Sequence, residues 1–353
     1  MINSNADFSS ALGRLSDIPR VALFSGRTPL EPMPNLGKSC GGRTNLYVKR
    51  DDCTELAFGG NKVRHLEFYL GEALAQNADT VLITGAVQSN FVRLAAAGAR
   101  KLGMDCHVQL EERVATNDPD YRTSGNVLLN QLFGATMYSY PEGEDEVGAD
   151  RKLGVIAKKL SDTGRRPYII LLAPGHVPLG ALGYIIAAQE ILEQINEQGL
   201  EINEIVVASG SGNTHAGLLF GLRALDSAIK VTGICVRRDA AIQHSRIGGH
   251  CSKIAELLSI TSKVSDEDIV LNDAFLAPGY GIAGEECSRA ILLGAQTEGL
   301  VLDHSYTGKS MAGFIERARS ADDNPGLLFL HTGGGPAIFA HQKDLIPATI
   351  SDQ

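Results

Sequence analysis

The run Leu46–Gln76, LYVKRDDCTELAFGGNKVRHLEFYLGEALAQ, holds an extended segment, a glycine turn and a helical segment in succession, and this unit decides the fold class. Asn45–Lys49 is short and apolar at its centre, which predicts a strand. Phe58–Lys62, FGGNK, interrupts the pattern with two glycines. From Lys62 to Gln76, apolar residues fall at Val63, Leu66, Leu70, Ala73 and Leu74. Spacings of three and four predict a helix with one stripe facing the core. The same alternation continues down the chain, with strands predicted at Thr80–Thr84, Asp105–Leu110, Thr136–Tyr140, Pro167–Leu172, Glu204–Ala208, Lys230–Cys235 and Leu327–His331. Each is bounded by Gly, Pro or polar residues and reads as buried on both faces. Strands alternating with helices imply an α/β protein with parallel sheet.

A chain of 353 residues exceeds one comfortable core and suggests two lobes with a cleft between them. Residues 141–166 are charged and surface-like, whereas the chain beyond residue 170 turns Gly-rich and apolar, which puts the crossing into a larger lobe near residue 175. No fixed-period repeat or low-complexity tract appears. Lys+Arg 32 against Asp+Glu 41 leaves a net charge of −9, which repels phosphate backbones and anionic lipid, so nucleic acid and membrane partners are not expected. The six cysteines are scattered without C-x-x-C pairs, and no His lies at metal-ligand spacing, so no metal is expected and a reduced cytoplasmic setting fits. The opening MINSNADFSSALGRL lacks an apolar signal core, and no stretch is long and apolar enough to span a bilayer.

Lys62 falls at the predicted helix N-terminus. The positive end of the helix dipole disfavours an ammonium there, which suits imine chemistry, while a solvated lysine after a turn fits the same residues. Ser209–Gly217, SGSGNTHAG, lies between a strand and an apolar helical run, and its small residues form a nest of N–H groups suited to phosphate, or simply a tight turn. His215 stands where G-x-G-x-x-G needs its third glycine, which argues against a dinucleotide-dependent oxidoreductase, and no Gly-Lys-Ser/Thr ending supports a Walker loop. In TGAVQSNFVR, Thr84–Arg93, the turn amides with Gln88, Ser89 and Asn90 could receive a carboxylate, or Ser89 or Asn90 could cap a helix. Late in the chain, Tyr280 and Tyr306 sit in Gly-containing loops, where ligand contacts concentrate in α/β proteins, although packing tyrosines are as ordinary there. His215 and His331 read first as buried, hydrogen-bonded histidines.

Taken in order, TPL (Thr28–Leu30), VKRDDCTELAFGGNK, QSN, SGSGNTHAG, APGYG, LDHSYTGKSMAG and FLHTGGGPA closely resemble the D-cysteine desulfhydrase and 1-aminocyclopropane-1-carboxylate deaminase family, pyridoxal-phosphate enzymes of tryptophan-synthase-β type. The resemblance runs from about Thr28 to Phe339. It implies two open twisted sheets flanked by helices, with 1–64 and 176–353 forming a large cofactor-binding domain, 65–175 a small one, and a homodimeric assembly. It also implies pyridoxal 5'-phosphate as cofactor, Lys62 as the Schiff-base lysine, and Ser209, Gly210, Ser211, Gly212, Asn213 and Thr214 as the phosphate loop. Asn61 and Asn90 would lie near the cofactor ring. Gln88, Ser89 and Asn90 would form the substrate-carboxylate turn, with Ser89 facing the reacting carbon and Tyr280 and Tyr306 above the cofactor. Thr307 or Thr332 would sit near the pyridine nitrogen, and a neutral hydroxyl there weakens the electron sink, favouring elimination over racemisation or transamination.

The activity implied is β-elimination on a small amino acid: exchange of the substrate onto the cofactor, α-proton removal by the released Lys62, then loss of a thiol or similar group, ending in pyruvate and ammonia. Ring-opening deaminases carry Glu in a Y-E-G-K context where this chain has Thr307, which favours desulfhydrase chemistry. Phe91 replaces the His of desulfhydrases or Gln of deaminases after Q-S-N, and Ala173–Pro178, APGHVP, replaces the usual Gly-Gly-Ser-Asn stretch. L-Cysteate sulfo-lyases share the Y-T-G-K segment, and a non-catalytic module that binds an amino acid or phosphorylated ligand is the reading of another class.

Overall fold

A computed structural model describes residues 13–173, 175–320 and 326–345. Most of the N-terminal stretch read for a signal, the outer ends of the expected large lobe, and Pro174 of the APGHVP segment lie outside the described residues.

The strands are β1 (Leu30–Pro32), β2 (Asn45–Arg50), β3 (Thr80–Ala86), β4 (Asp105–Glu111), β5 (Thr136–Tyr140), β6 (Pro167–Ile170), β7 (Glu204–Ser209), β8 (Lys230–Cys235), β9 (Val270–Asn272) and β10 (Gly326–His331). The helices of eight residues or more are α1 (Lys62–Ala75), α2 (Asn90–Lys101), α3 (Gly125–Leu132), α4 (Glu146–Asp162), α5 (Leu182–Gln198), α6 (Asn213–Ala224), α7 (Ala240–Leu258), α8 (Glu285–Glu298) and α9 (Thr307–Ser320). Six strands form one sheet in the order β1-β2-β10-β7-β8-β9, and four form another in the order β5-β4-β3-β6. Neighbours are parallel except β1, which pairs antiparallel with β2.

All eight strands expected from sequence form, with ends shifted by two residues or fewer. The two that were not expected, β1 and β9, are three residues long, too short to show a period. Burial on both faces holds for β3 and β10, whose residues are all buried. It fails for β5, whose Thr136 and Ser139 are exposed, and for most of β6, because these are the two edges of the smaller sheet and lack a neighbour on one side.

The single stripe expected on α1 is also corrected. Arg64, His65, Glu67 and Tyr69 are buried beside Val63, Leu66 and Leu70, while Leu74 is 40 % exposed. The cause is position: α1 is wedged between α2 and α5, within a core that joins Val81, Ile83 and Val108 of the smaller sheet to Ile205, Val207 and Leu330 of the larger. A second core lies across the larger sheet, where Val48, Val206 and Phe329 meet Met311 and Phe314 of α9. The charged run 141–166 is surface-like on one side only, since α4 buries Leu153, Ile156 and Ala157 with Leu82.

The polar residues buried with α1 are paired. Arg64 donates to Asp51 (3.0 Å) and to Glu190 of α5 (2.8 Å), and Tyr184 donates to Asp51. Lys49 of β2 reaches Glu190 (2.5 Å), Gln194 (2.6 Å) and the carbonyl of Thr28 (2.7 Å). Removing one partner from such a buried network leaves an uncompensated charge, at a cost of roughly 3–5 kcal/mol. The network therefore fixes the angle at which α1 leaves β2, and with it the place of Lys62.

Candidate active site

In open α/β sheets, ligands bind outside the carboxyl ends of the strands. Here the carboxyl ends of β2, β7 and β10 from the larger sheet and of β3 and β4 from the smaller one lead into loops that line one cleft open to solvent. Lys62, Asn61, Ser89, Asn90, Gly210, Ser211, Gly212, Thr214, Tyr280, Tyr306 and Thr332 all line it.

Lys62 is the first residue of α1 and is walled in except toward the cleft. Among the described residues no carboxylate pairs with its amine, and its nearest aromatic wall is Phe91, whose ring centre lies 5.4 Å from Nζ. Desolvation with no compensating anion lowers its pKa to about 8. Asn61, the preceding residue, donates through Nδ2 to Thr214 Oγ1 at 2.9 Å, and its backbone N–H donates to the carbonyl of Thr332 at 3.0 Å. The lysine and the glycine turn after β7 thus share a wall.

That turn opens α6, whose first-turn amides have no intrahelical acceptor. Gly212 adopts φ +97°, and a Cβ there would lie 2.8 Å from the His250 ring. The carbonyl of Ser211 accepts from Arg246 Nε (2.9 Å) and pairs with His250 Nε2 (3.0 Å), while that of Gly210 accepts from Arg238 (3.2 Å). With these carbonyls held by Arg246, His250 and Arg238, the trans peptide turns the amides of Ser211 and Gly212 to the opposite side, and both residues line the cleft. An array of inward N–H groups at a helix N-terminus, backed by cations, fits a phosphate group. Ser209 and Asn213 do not line the cleft: Ser209 Oγ sits beneath the turn with His215 Nδ1 (3.2 Å) and Gln243 (2.9 Å), and Asn213 points at Tyr69.

Across the cleft, Ser89 caps α2 by accepting from the N–H of Val92. Asn90 Oδ1 accepts from Asn126 Nδ2 (2.9 Å) and Arg93 (3.4 Å), so its own amide N–H group is free to face the cleft. Gln88 faces away. It donates to the carbonyls of Tyr121 and Ser124 and accepts from the N–H of Asn126, which braces the start of α3. Thr307 is consumed by Asp303, to which its hydroxyl donates at 2.6 Å, and is absent from the wall, whereas Thr332 lines it. Tyr280 and Tyr306 meet hydroxyl to hydroxyl at 2.5 Å with rings at 77°, and burial together with Tyr280 raises the pKa of Tyr306 well above the usual tyrosine range.

Sequence reasoning missed several wall residues. Arg113 follows β4, is held by Glu111 (2.6 Å) and lies 5.8 Å from the Tyr280 ring centre; its place just after a strand was the available signal. Glu146 binds Arg237 (2.6 Å), Arg238 and Arg246 (3.0 Å) at the cleft mouth, a cluster with no local pattern in the sequence. Among the described residues no group of His, Cys, Asp and Glu could hold a metal ion.

A family model described as pyridoxal-phosphate dependent enzyme matches residues 21–333. The chain belongs to the pyridoxal-phosphate-dependent enzymes. It is 41 % identical over 338 residues to a D-cysteine desulfhydrase of Klebsiella pneumoniae (strain 342), covering 95 % of this chain and 100 % of the relative. The crystal structure of an ACC deaminase homologue superposes with a TM-score of 0.85 at 34 % identity, covering 97 % of this chain and 98 % of that one. A cysteine synthase from Entamoeba histolytica shares the fold, with a TM-score of 0.65 at 14 % identity over 95 % of this chain and 93 % of that one. The expected family, the two-sheet α/β fold of this enzyme class and dependence on pyridoxal phosphate therefore stand. The cleft suits the cofactor on its own terms, because an unpaired low-pKa amine and an inward-facing amide turn share one wall.

Proposed function

We propose that this chain is a D-cysteine desulfhydrase, releasing pyruvate, sulfide and ammonia by β-elimination. The observation that carries the reading is Lys62, a desolvated amine without a carboxylate partner beside the glycine turn. The 41 % identity to a desulfhydrase supports the substrate. Lys62 would hold the cofactor, the amides of Ser211, Gly212 and Thr214 its phosphate, and Asn90 and Thr332 its ring; Thr332 is preferred to Thr307 because it lines the cleft. Bound there, pyridoxal phosphate supplies an electron sink for the pair left on the substrate α-carbon, and a neutral hydroxyl at its nitrogen directs that pair toward elimination. Ser89 and the first amides of α2 receive the substrate carboxylate. Lys62 Nζ takes the α-proton, and the Tyr280–Tyr306 pair delivers a proton to the departing sulfur. Gln88 supports this turn from behind through Asn126.

The same reading divides the molecule into a large lobe of 1–64 and 176–353 and a small lobe of 65–175. It takes the protein as a cytoplasmic homodimer that acts on a small amino acid, with no nucleic acid or membrane partner, in keeping with a net charge of −9 and with no helix among the described residues long and apolar enough to cross a membrane.

Arg113 favours one second reading. A guanidinium in the wall beside Tyr280 suits an anionic β-substituent, which points to L-cysteate and a sulfonate leaving group. The purified holoenzyme should be offered D-cysteine, L-cysteine, L-cysteate, β-chloroalanine and 1-aminocyclopropane-1-carboxylate, with keto acid and leaving group scored separately. Sulfide from D-cysteine is the expected result. Sulfite from L-cysteate with no sulfide from D-cysteine would transfer the assignment to the second reading, and a colourless protein with no borohydride-fixed adduct on Lys62 would leave only a binding module.

A further inference from the structure

Lys309 is buried in the first turns of α9, yet among the described residues no carboxylate bonds it. Its ammonium donates instead to two main-chain carbonyls, Leu276 O at 2.7 Å and Gly279 O at 2.6 Å. These carbonyls bracket the Ala277–Pro278 corner, and the second belongs to the residue immediately before Tyr280. A buried ammonium is costly unless its donors are satisfied, so its position is dictated by the acceptors it holds. The loop it holds is anchored upstream, where Asp273 accepts from the N–H of Ala240 at 2.9 Å and Phe275 packs against the second core, and Lys309 holds the four residues between that anchor and Tyr280. Most of Leu271–Tyr280 is exposed or half-buried, and Tyr280 is engaged through its hydroxyl and its ring by Tyr306 and Arg113.

The same helix start carries Tyr306. The backbone N–H groups of Ser305, Tyr306 and Thr307 all donate to the Asp303 carboxylate, which fixes Tyr306 relative to the helix axis, and Lys309 follows three residues later. One rigid element therefore bears one tyrosine and grips the backbone that bears the other. We propose that Lys309 is a positioning residue that brings Tyr280 into hydrogen-bond contact with Tyr306 by clamping the loop ahead of it. The proposal rests on the reading that this pair serves the leaving group.

The test is a double-mutant cycle on the holoenzyme: Lys309→Met, Tyr280→Phe and the double variant, with kcat and KM for D-cysteine and the visible cofactor band measured for each. Lys309→Met should lower kcat about 10- to 100-fold, the scale of a misplacement near 1 Å, with KM within about threefold and the band unchanged. Lys309→Arg keeps the charge and should recover much of the rate. Because Lys309 acts through Tyr280, the double variant should be no slower than Tyr280→Phe alone. Multiplied losses, an undiminished kcat in Lys309→Met, or loss of the cofactor band would overturn the proposal while leaving the tyrosine reading intact. A Tyr280→Phe variant with full kcat would sink both. Should Lys309→Met fail to fold, the same cycle built on Lys309→Gln, which keeps a donor but is too short to reach both carbonyls, decides.

Discussion

At the scale of single residues, the decisive quantity is the proton on Lys62. Its pKa falls from 10.5 to about 8 because burial disfavours the ammonium and no anion compensates. Only the neutral amine condenses with an aldehyde. The rate at which the cofactor-free chain takes up pyridoxal phosphate should therefore climb about tenfold per pH unit below pH 8 and level off above it. A rate still rising at pH 10 would mean an ordinary solvated lysine. The linked stability has a definite sign: with the folded value depressed, the burden of the buried ammonium is complete below pH 8 and lifts between 8 and 10.5, so Lys62→Met should raise stability at pH 7 in a urea titration. The place of Lys62 at the start of α1 was legible in the sequence because Gly-Gly before a helical pattern is local information. Gln88 and Thr307 were not, since both sit within motifs that reach the cleft and only the folded backbone shows their side chains turned to Asn126 and Asp303.

At the scale of elements, the strand–turn–helix unit quoted from the sequence carries the site, and its narrowest point is Gly59. This residue adopts φ +62°, and an added Cβ would lie 2.1 Å from Asp52 O and 2.5 Å from Thr54 O. Both obstacles are backbone atoms of the same turn and cannot swing away. Gly59→Ala should cost roughly 2–4 kcal/mol, combining left-handed strain with overpacking, and should weaken cofactor binding because Lys62 follows three residues later. A urea midpoint and a cofactor titration check both, and an unchanged midpoint would show that the turn has room. By contrast, the obstacle at Gly212 is the His250 side chain, which can rotate, so the corresponding alanine there should be milder. Element order was readable because β-branched runs and helical spacing are short-range signals. The buried polar face of α1 was not, because Arg64 is satisfied by Glu190, a residue 126 positions away on α5.

At the scale of the molecule, the cleft lies between two sheets, and what spans its mouth is electrostatic. Glu146 begins α4, which packs on the smaller sheet, and its three arginines come from the chain after β8 and from α7 on the larger one, between 91 and 100 positions away. Arg238 and Arg246 also hold the carbonyls of Gly210 and Ser211, so Glu146 steadies the amide turn from across the cleft. Glu146→Gln sets two effects in opposition. Losing a negative charge makes the mouth more cationic and should favour a phosphate, but in a wet opening a charge several ångströms away is worth about 1 kcal/mol or less. Releasing three largely buried arginines from their shared carboxylate costs on the order of 3 kcal/mol and loosens the donors that turn the amides inward. The second effect is the larger, so the variant should lose cofactor about tenfold faster than the parent, with the parent itself losing cofactor faster as salt is raised. Stopped dilution of the holoenzyme, following the visible band, measures both. Slower cofactor loss in Glu146→Gln would show that the charge at the mouth outweighs the tether, and that the two sheets are held across the cleft by something other than this cluster.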